Sequence, residues 1–238
     1  MTTRSRRRKE AGDADNQSDR LLTSAATIFI TGTDTGVGKT FVTAALVRAL
    51  RKAGVHAGAV KPFATGSRDD ARVLRAAMDG ELTLEEINPI FFRRPLAPMV
   101  AARLEGKCVP LRVQLPVKRF ELLLVEGIGG WLVPLTARVT VADWVARRGW
   151  PIIIVARAGL GTLNHTLLTL EAARQRGVKI AAVILNNVVK AGAAVARRNA
   201  AVLRRLTRLP VFLSVKALAD VLGQRVAKGR GDWSANNT

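Results

Sequence analysis

Apolar residues in this chain fall in short unbroken runs, separated by stretches with helical periodicity. Thr27 to Ile30, Ala57 to Val60, Leu122 to Val125, Ile152 to Val155, Ile180 to Leu185 and Val211 to Leu213 read as strands. Most are continuous rather than alternating, the pattern of strands buried on both faces. Between them, Phe41 to Lys52 places Val42, Ala45, Leu46, Ala49 and Leu50 on one helical face, with Gly54 as its stop. Asp70 to Met78, Pro95 to Glu105, Val141 to Arg148, Leu163 to Arg176 and Ala193 to Leu206 also read as helices. This alternation predicts an α/β fold, a mostly parallel sheet flanked by helices on both faces. The chain shows no internal repeat and no Pro/Gly linker, so one domain is expected over residues 21–215. Residues 1–20 are polar and aperiodic and read as a disordered tail. Residues 216–238 read as a C-terminal helix or a polar tail.

Composition adds limits rather than detail. The 238 residues are 48% hydrophobic and 24% charged, enough apolar material for an ordinary core. The single cysteine, Cys108, excludes an internal disulfide and a cysteine-built zinc site, so a reducing compartment is expected. No run reaches the roughly 18 apolar residues of a membrane span. The N-terminal stretch lacks the apolar core of a secretory signal, and Glu10, Asp13, Asp15 and Asp19 argue against a transit peptide. The expectation is a soluble cytoplasmic protein.

Charge changes the picture more. Lys and Arg number 38 against 18 Asp and Glu, a formal +20. Residues 181–238 alone hold 10 basic and 2 acidic side chains. Such an excess suits nucleic acid. Yet no aromatic residues interleave with Arg197, Arg198, Arg204, Arg205 and Arg208, as base stacking would need. The arginines read better as a solvated helical surface, with nucleic acid an unlikely partner.

Candidate chemistry begins where the first strand ends. Gly32-Thr33-Asp34-Thr35-Gly36-Val37-Gly38-Lys39-Thr40 is a glycine loop between a strand and a helix. Glycines let backbone N–H groups approach an anion, and the helix N-terminus adds partial positive charge. Lys39 supplies a point charge for β- and γ-phosphates, and the Thr40 hydroxyl can ligate Mg²⁺ of bound ATP. The strict phosphate-loop pattern needs glycine at position 33, where this chain has Thr33, with Gly32 one place earlier. Glu126 sits at the C-terminal end of a strand, the edge where ligands collect, and reads as a metal ligand or as a surface carboxylate capping a turn. Asp70 reads equally as a metal ligand or a helix N-cap. Lys61 follows the second strand and reads as a crevice lysine or a solvated loop lysine. Asn186 ends a later strand, placed to read adenine or to make a turn. His56 and His165 lack ligand spacing and read as structural or surface residues.

Together these motifs resemble the ATP-dependent dethiobiotin synthetases of biotin biosynthesis. The resemblance spans about Thr27 to Asn187. It rests on the glycine loop, Lys61-Pro62-Phe63-Ala64-Thr65-Gly66, Asn88-Pro89, Ala97 to Ala102 with Glu105-Gly106, Val125 to Trp131, Ala142-Asp143-Trp144, and Gly159 to His165. The offset first glycine belongs to that family's loop. The resemblance implies a single-domain P-loop NTPase fold and a ligase. CO₂ would add to one amine of 7,8-diaminononanoate, ATP would phosphorylate the carbamate, and the second amine would close the ring. It further implies that Lys39 and Lys61 neutralise charge in catalysis and that Thr35 holds the γ-phosphate. Thr40, Asp70 and Glu126 would hold Mg²⁺, with Asp69 a fallback for Asp70 because the loop from Gly66 is short. Gly127 and Gly129 would complete the nucleotide site with Asn186 at the adenine. Thr65 would meet the substrate near the carbamate. The family is a homodimer, with Gly161, Thr162, Leu163 and Asn164 matching the segment that binds the substrate carboxylate. The stretch Gly106 to Glu121, with Pro110 and Pro116, implies a reduced helix there.

Two other readings compete. An amidating P-loop synthetase would carry a glutaminase domain, for which this chain is too short. A partitioning-type ATPase switch would carry an extra lysine where Asp34 stands.

Overall fold

A computed structural model describes residues 26–186 and 192–229. The polar tail over residues 1–20 lies outside the described residues, as does the end of the chain from 230. The main sheet has β1 (Ala26–Gly32), β2 (Ala57–Val60), β5 (Leu122–Glu126), β8 (Ile152–Arg157), β9 (Ile180–Asn186) and β10 (Val211–Phe212), all parallel, in the order β10-β9-β8-β1-β5-β2. The α/β class read from the apolar runs holds. Every residue of β2 and β5 is buried, as expected for strands covered on both faces. The helices are α1 (Lys39–Lys52), α2 (Asp69–Ala77), α3 (Leu84–Ile87), α4 (Pro98–Leu104), α5 (Val141–Ala146), α6 (Thr162–Arg174), α7 (Ala193–Thr207) and α8 (Val215–Ala227). The chain leaves β1 for the edge strand β2, returns to β5, and then crosses to β8 on the other side of β1. That reversal opens a crevice at the C-terminal end of β1.

Several elements depart from the sequence reading. The segment around Phe63 pairs as β3 (Phe63–Thr65) with β4 (Ile90–Phe92), and β6 (Pro134–Thr136) pairs with β7 (Val139–Thr140). These four strands of two or three residues carry too little periodicity to be read, whereas the equally short β10 was read from its apolar run. The helix expected from Pro95 begins only at Pro98, because Pro at the first helical position fixes the start there. Ser214 caps α8 by accepting from the Ala217 N–H, followed by buried Leu218, Ala219 and Leu222. Between Gly106 and Glu121 only a short 3₁₀ turn, Val117–Arg119, forms, in keeping with the reduced helix expected there.

Asp143 shows how one carboxylate fixes a helix start. It accepts from the Thr140 hydroxyl and backbone N–H at 2.7 and 2.8 Å, and from Arg176 Nε at 3.0 Å. The Thr140 hydroxyl, then its N–H and Arg176, hold the carboxyl at about 2, against an ordinary value of 3.8. A depressed carboxyl stabilises the fold fully above its unfolded value and loses that effect as pH falls through its folded value. Asp143→Ala should therefore cost ~1–2 kcal/mol at pH 7, with the gap from wild type closing between about pH 4 and pH 2. Thermal melts of both chains across that range would check it.

Candidate active site

The site assembles from strand ends that the sheet brings together. Val60 of β2 and Val125 of β5 are in register, so the next residues, Lys61 and Glu126, emerge side by side. Lys61 is 5% exposed and Glu126 1%. Lys61 Nζ lies 2.7 Å from Glu126 Oε1 and 2.9 Å from Asp70 Oδ2, and donates to the Gly127 carbonyl at 3.4 Å. Glu126 Oε1 also accepts from the Thr40 hydroxyl at 2.7 Å. Two of the open alternatives close here: Lys61 is no solvated loop lysine, and Glu126 is no surface turn cap. The N-cap reading of Asp70 also fails, because Arg68 is the N-cap of α2 and Asp70 faces Lys61 from its first turn. Asp69 points elsewhere, pairing with the exposed Arg72.

Electrostatics follow from this geometry. Burial pulls the Lys61 ammonium down, but Glu126 and Asp70 more than offset it, so its pKa lies above the usual lysine value. Burial pushes Asp70 up, yet Lys61 holds it below the usual carboxylate range. Lys39 has weaker support: its Nζ donates to the Asp34 carbonyl at 3.0 Å, and burial, with Lys61 adding repulsion, lowers its pKa to about 8. An anion beside Lys39 would raise its pKa again.

A cavity of about 740 Å³ opens between these groups. Thr35, Gly36, Gly38, Lys39 and Thr40 form its phosphate-loop side. Lys61, Thr65, Asp70, Glu126 and Gly129 form the facing side. Gly36 and Gly38 take φ of 70° and 88°, left-handed values that favour glycine. The remaining expected residues are placed differently. Val37 is buried beneath the loop, and a Cβ at Gly32 would stand 2.8 Å from its side chain. Thr33 and Asp34 line a separate surface pocket with Leu132 and Leu168. Gly127 backs onto the Phe29 ring. Asn186 donates to the Val37 carbonyl at 3.0 Å. Gly161, Thr162, Leu163 and Asn164 form the start of α6 and do not line the cavity of their own chain.

Sequence reading gave no role to two contributors. Pro95 and Leu96 form one wall of the cavity from a stretch read as helix. Asn88, fully buried, donates to the carbonyls of Lys61 and Ile90 at 2.9 and 3.1 Å, fixing the backbone that carries Lys61. His56 pairs with Glu81 at the surface, as a structural residue would.

A parallel sheet whose first strand runs through a glycine loop into a helix, with two lysines at the mouth, defines a P-loop nucleotide-binding protein. A family model described as an AAA domain matches residues 26–225. The chain is 45% identical over 218 residues to the ATP-dependent dethiobiotin synthetase BioD of Anaeromyxobacter dehalogenans (strain 2CP-1), covering 84% of this chain and 98% of that one. Against the protein of the same name from Bacillus licheniformis it is 37% identical over 202 residues, covering 81% and 86%. A solved structure of a DUF1611 family protein from Anabaena variabilis shares the fold, with a TM-score of 0.50 and 19% identity over 87% of this chain and 60% of that one. The chain belongs to the ATP-dependent dethiobiotin synthetase family, among the AAA-domain P-loop proteins.

Proposed function

We propose that this chain makes dethiobiotin from 7,8-diaminononanoate, CO₂ and ATP, releasing ADP and phosphate. One observation carries the reading: the phosphate loop, two buried lysines and two carboxylates share a single cavity, in a chain that aligns with named synthetases over nearly their full length. CO₂ adds to one substrate amine to give a carbamate. The γ-phosphoryl group passes to a carbamate oxygen. The second amine then attacks the carbamate carbon, phosphate leaves, and the ureido ring closes. Phosphoryl transfer mainly needs positioning and neutralised charge. Lys39 and Lys61 neutralise the γ-phosphate and carbamate, Thr35 holds the γ-phosphate, and Thr65 stands at the carbamate end. Gly127 and Gly129 shape the nucleotide side, with the Asn186 amide at the adenine.

Among the described residues no group of three or more His, Cys, Asp or Glu could hold a metal alone. A magnesium ion shared with phosphate oxygens needs only one or two carboxylates. The donor set here fits: Asp70, Glu126 and the Thr40 hydroxyl are all oxygen ligands, and Glu126 Oε2 is buried without a partner. Those three residues would hold the ion, which supplies neutralisation of phosphate charge when bound. Incubation with Mg-ATP, bicarbonate and 7,8-diaminononanoate should yield dethiobiotin by mass. ATP binding without product would refute the synthetase reading.

The reading includes a cytoplasmic homodimer, and no described helix is long and apolar enough to cross a membrane. Leu132 and Leu168 are 51% and 61% exposed around one surface pocket beside the loop, and a second copy would cover them. Leu168→Asp should shift a dimer to monomer in sedimentation equilibrium at micromolar concentration. A wild-type chain that sediments as monomer would refute the dimer.

A further inference from the structure

The phosphate loop is held from outside by two side chains that leave the sheet together. Arg157 ends β8, and Asn186 ends β9 as its in-register partner. Arg157 Nη2 donates to the Thr35 carbonyl at 3.1 Å, and Asn186 Nδ2 donates to the Val37 carbonyl at 3.0 Å. The two tethered carbonyls flank Gly36. No described peptide bond is cis. In a planar trans peptide the N–H points opposite to its C=O. Tethering the carbonyls of Thr35 and Val37 toward the strand ends therefore turns the N–H groups of Gly36 and Gly38 the other way. Gly36 and Gly38 both line the cavity. An anion cradle needs that orientation of amides.

Besides this pair, Lys39 Nζ holds the Asp34 carbonyl, one residue before Thr35. Asp34, Thr35 and Gly36 are all exposed. The Asp34 carboxylate turns back onto the Thr35 N–H at 2.6 Å, and its second oxygen lies 3.9 Å from Arg157 Nη2. Since both Arg157 and Asp34 are well exposed, at 46% and 62% of their side chains, the ion pair is screened by water. The hydrogen bond to the Thr35 carbonyl is the contact that matters.

We propose that Arg157 is a positioning residue of this enzyme: with Asn186 it clamps the phosphate loop in its anion-binding form before nucleotide arrives. This rests on the nucleotide-binding part of the proposed function. It assigns Arg157 a role on the loop backbone, away from the phosphates themselves. A preformed loop lowers the ordering cost of binding any nucleotide that reaches residues 36–38. Both ATP and ADP should benefit, and equally.

The test is calorimetric titration of the full chain with Mg-ATP and with Mg-ADP at 150 mM salt. Arg157→Met should weaken both by about tenfold, the effect of losing one charge-assisted hydrogen bond. Arg157→Lys, which keeps the charge but lacks the planar fork, should recover less than half of that loss on a logarithmic scale. The nucleotide-free variants should melt within about 2 °C of wild type, because an exposed side chain supports little of the core. Unchanged affinity in Arg157→Met would overturn the clamp. So would a loss confined to ATP, which would put Arg157 on the γ-phosphate. Full recovery with lysine would replace the tether by simple charge, and a melting loss above about 5 °C would make the role structural. A wild-type chain that binds neither nucleotide would overturn the underlying function as well.

Discussion

Lys61→Met should lower dethiobiotin formation at least a hundredfold. Removing one preorganised charge or donor from a dry site commonly costs a factor of 10²–10³ in turnover. Lys61 is such a group, because its ammonium is buried and held charged by Glu126 and Asp70. Methionine keeps the length of the stem and deletes the ammonium, its charge together with its hydrogen-bond donors. Deletion also leaves Glu126 buried with Thr40 as its remaining side-chain donor. An uncompensated buried charge costs ~3–5 kcal/mol, so activity could fall simply because the fold weakens. Adding Glu126→Gln removes the stranded charge. The double variant should recover most of the melting temperature lost by Lys61→Met, which measures the stability part. Because Glu126 is itself a proposed metal ligand, the catalytic part is read from Lys61→Met assayed well below its own melting temperature. Steady-state assays and thermal melts on the same preparations separate the two effects. Turnover above a tenth of wild type in Lys61→Met would show that Lys61 serves stability alone.

The lysine illustrates what could be read from the chain and what could not. Its spacing, one residue past an apolar strand, marked a position at the sheet edge, yet spacing alone favoured a solvated loop. The deciding fact is that β2 and β5 are neighbours with Val60 opposite Val125, which joins residues 65 apart in sequence. Pairing between distant strands leaves no local trace. The glycine loop was legible because all its parts are contiguous, and the buried strands were legible because each is a solid apolar run. Arg157 left a faint sign, a charge ending such a run at the ligand edge, yet its partner carbonyl lies 122 positions away. The resemblance carried motifs without their reasons. Asn88 and Asp143 belong to the matching motifs, and the structure makes one a backbone clamp under Lys61 and the other a helix cap. The net charge told least. Arg197, Arg198, Arg204, Arg205 and Arg208 are exposed along and just beyond α7, and none lines the cavity.

Trp144 supplies the second large effect. It is 2% exposed on α5 and meets three aromatic rings edge-on: Phe29 at 6.3 Å, Phe63 at 5.1 Å and Trp150 at 5.5 Å between centroids. The Arg148 guanidinium stacks 3.7 Å from its ring centroid. Its indole N–H donates to the Leu111 carbonyl at 2.9 Å, tying down the irregular stretch after Gly106. Two of these neighbours reach the site: Phe29 backs Gly127, and Phe63 follows Lys61 by two residues. Trp144→Ala should cost ~3–5 kcal/mol, from lost apolar burial plus the cavity left behind. For a chain of this size that lowers the melting temperature by about 10 °C. Trp144→Phe keeps a ring against Phe29 and Phe63 and loses the indole donor, so a cost near ~1–2 kcal/mol is expected. Arg148 also donates to the Leu111 carbonyl, at 3.2 Å, so that oxygen keeps one partner in both variants. Limited trypsin digestion gives an independent reading, because Lys107, Arg112, Lys118 and Arg119 lie in or beside the tied stretch. Trp144→Ala should be cut there faster than Trp144→Phe, and Trp144→Phe faster than wild type. If Trp144→Ala melted within 2 °C of wild type and resisted trypsin equally, neither the aromatic stack nor the Leu111 tether would be holding this part of the fold.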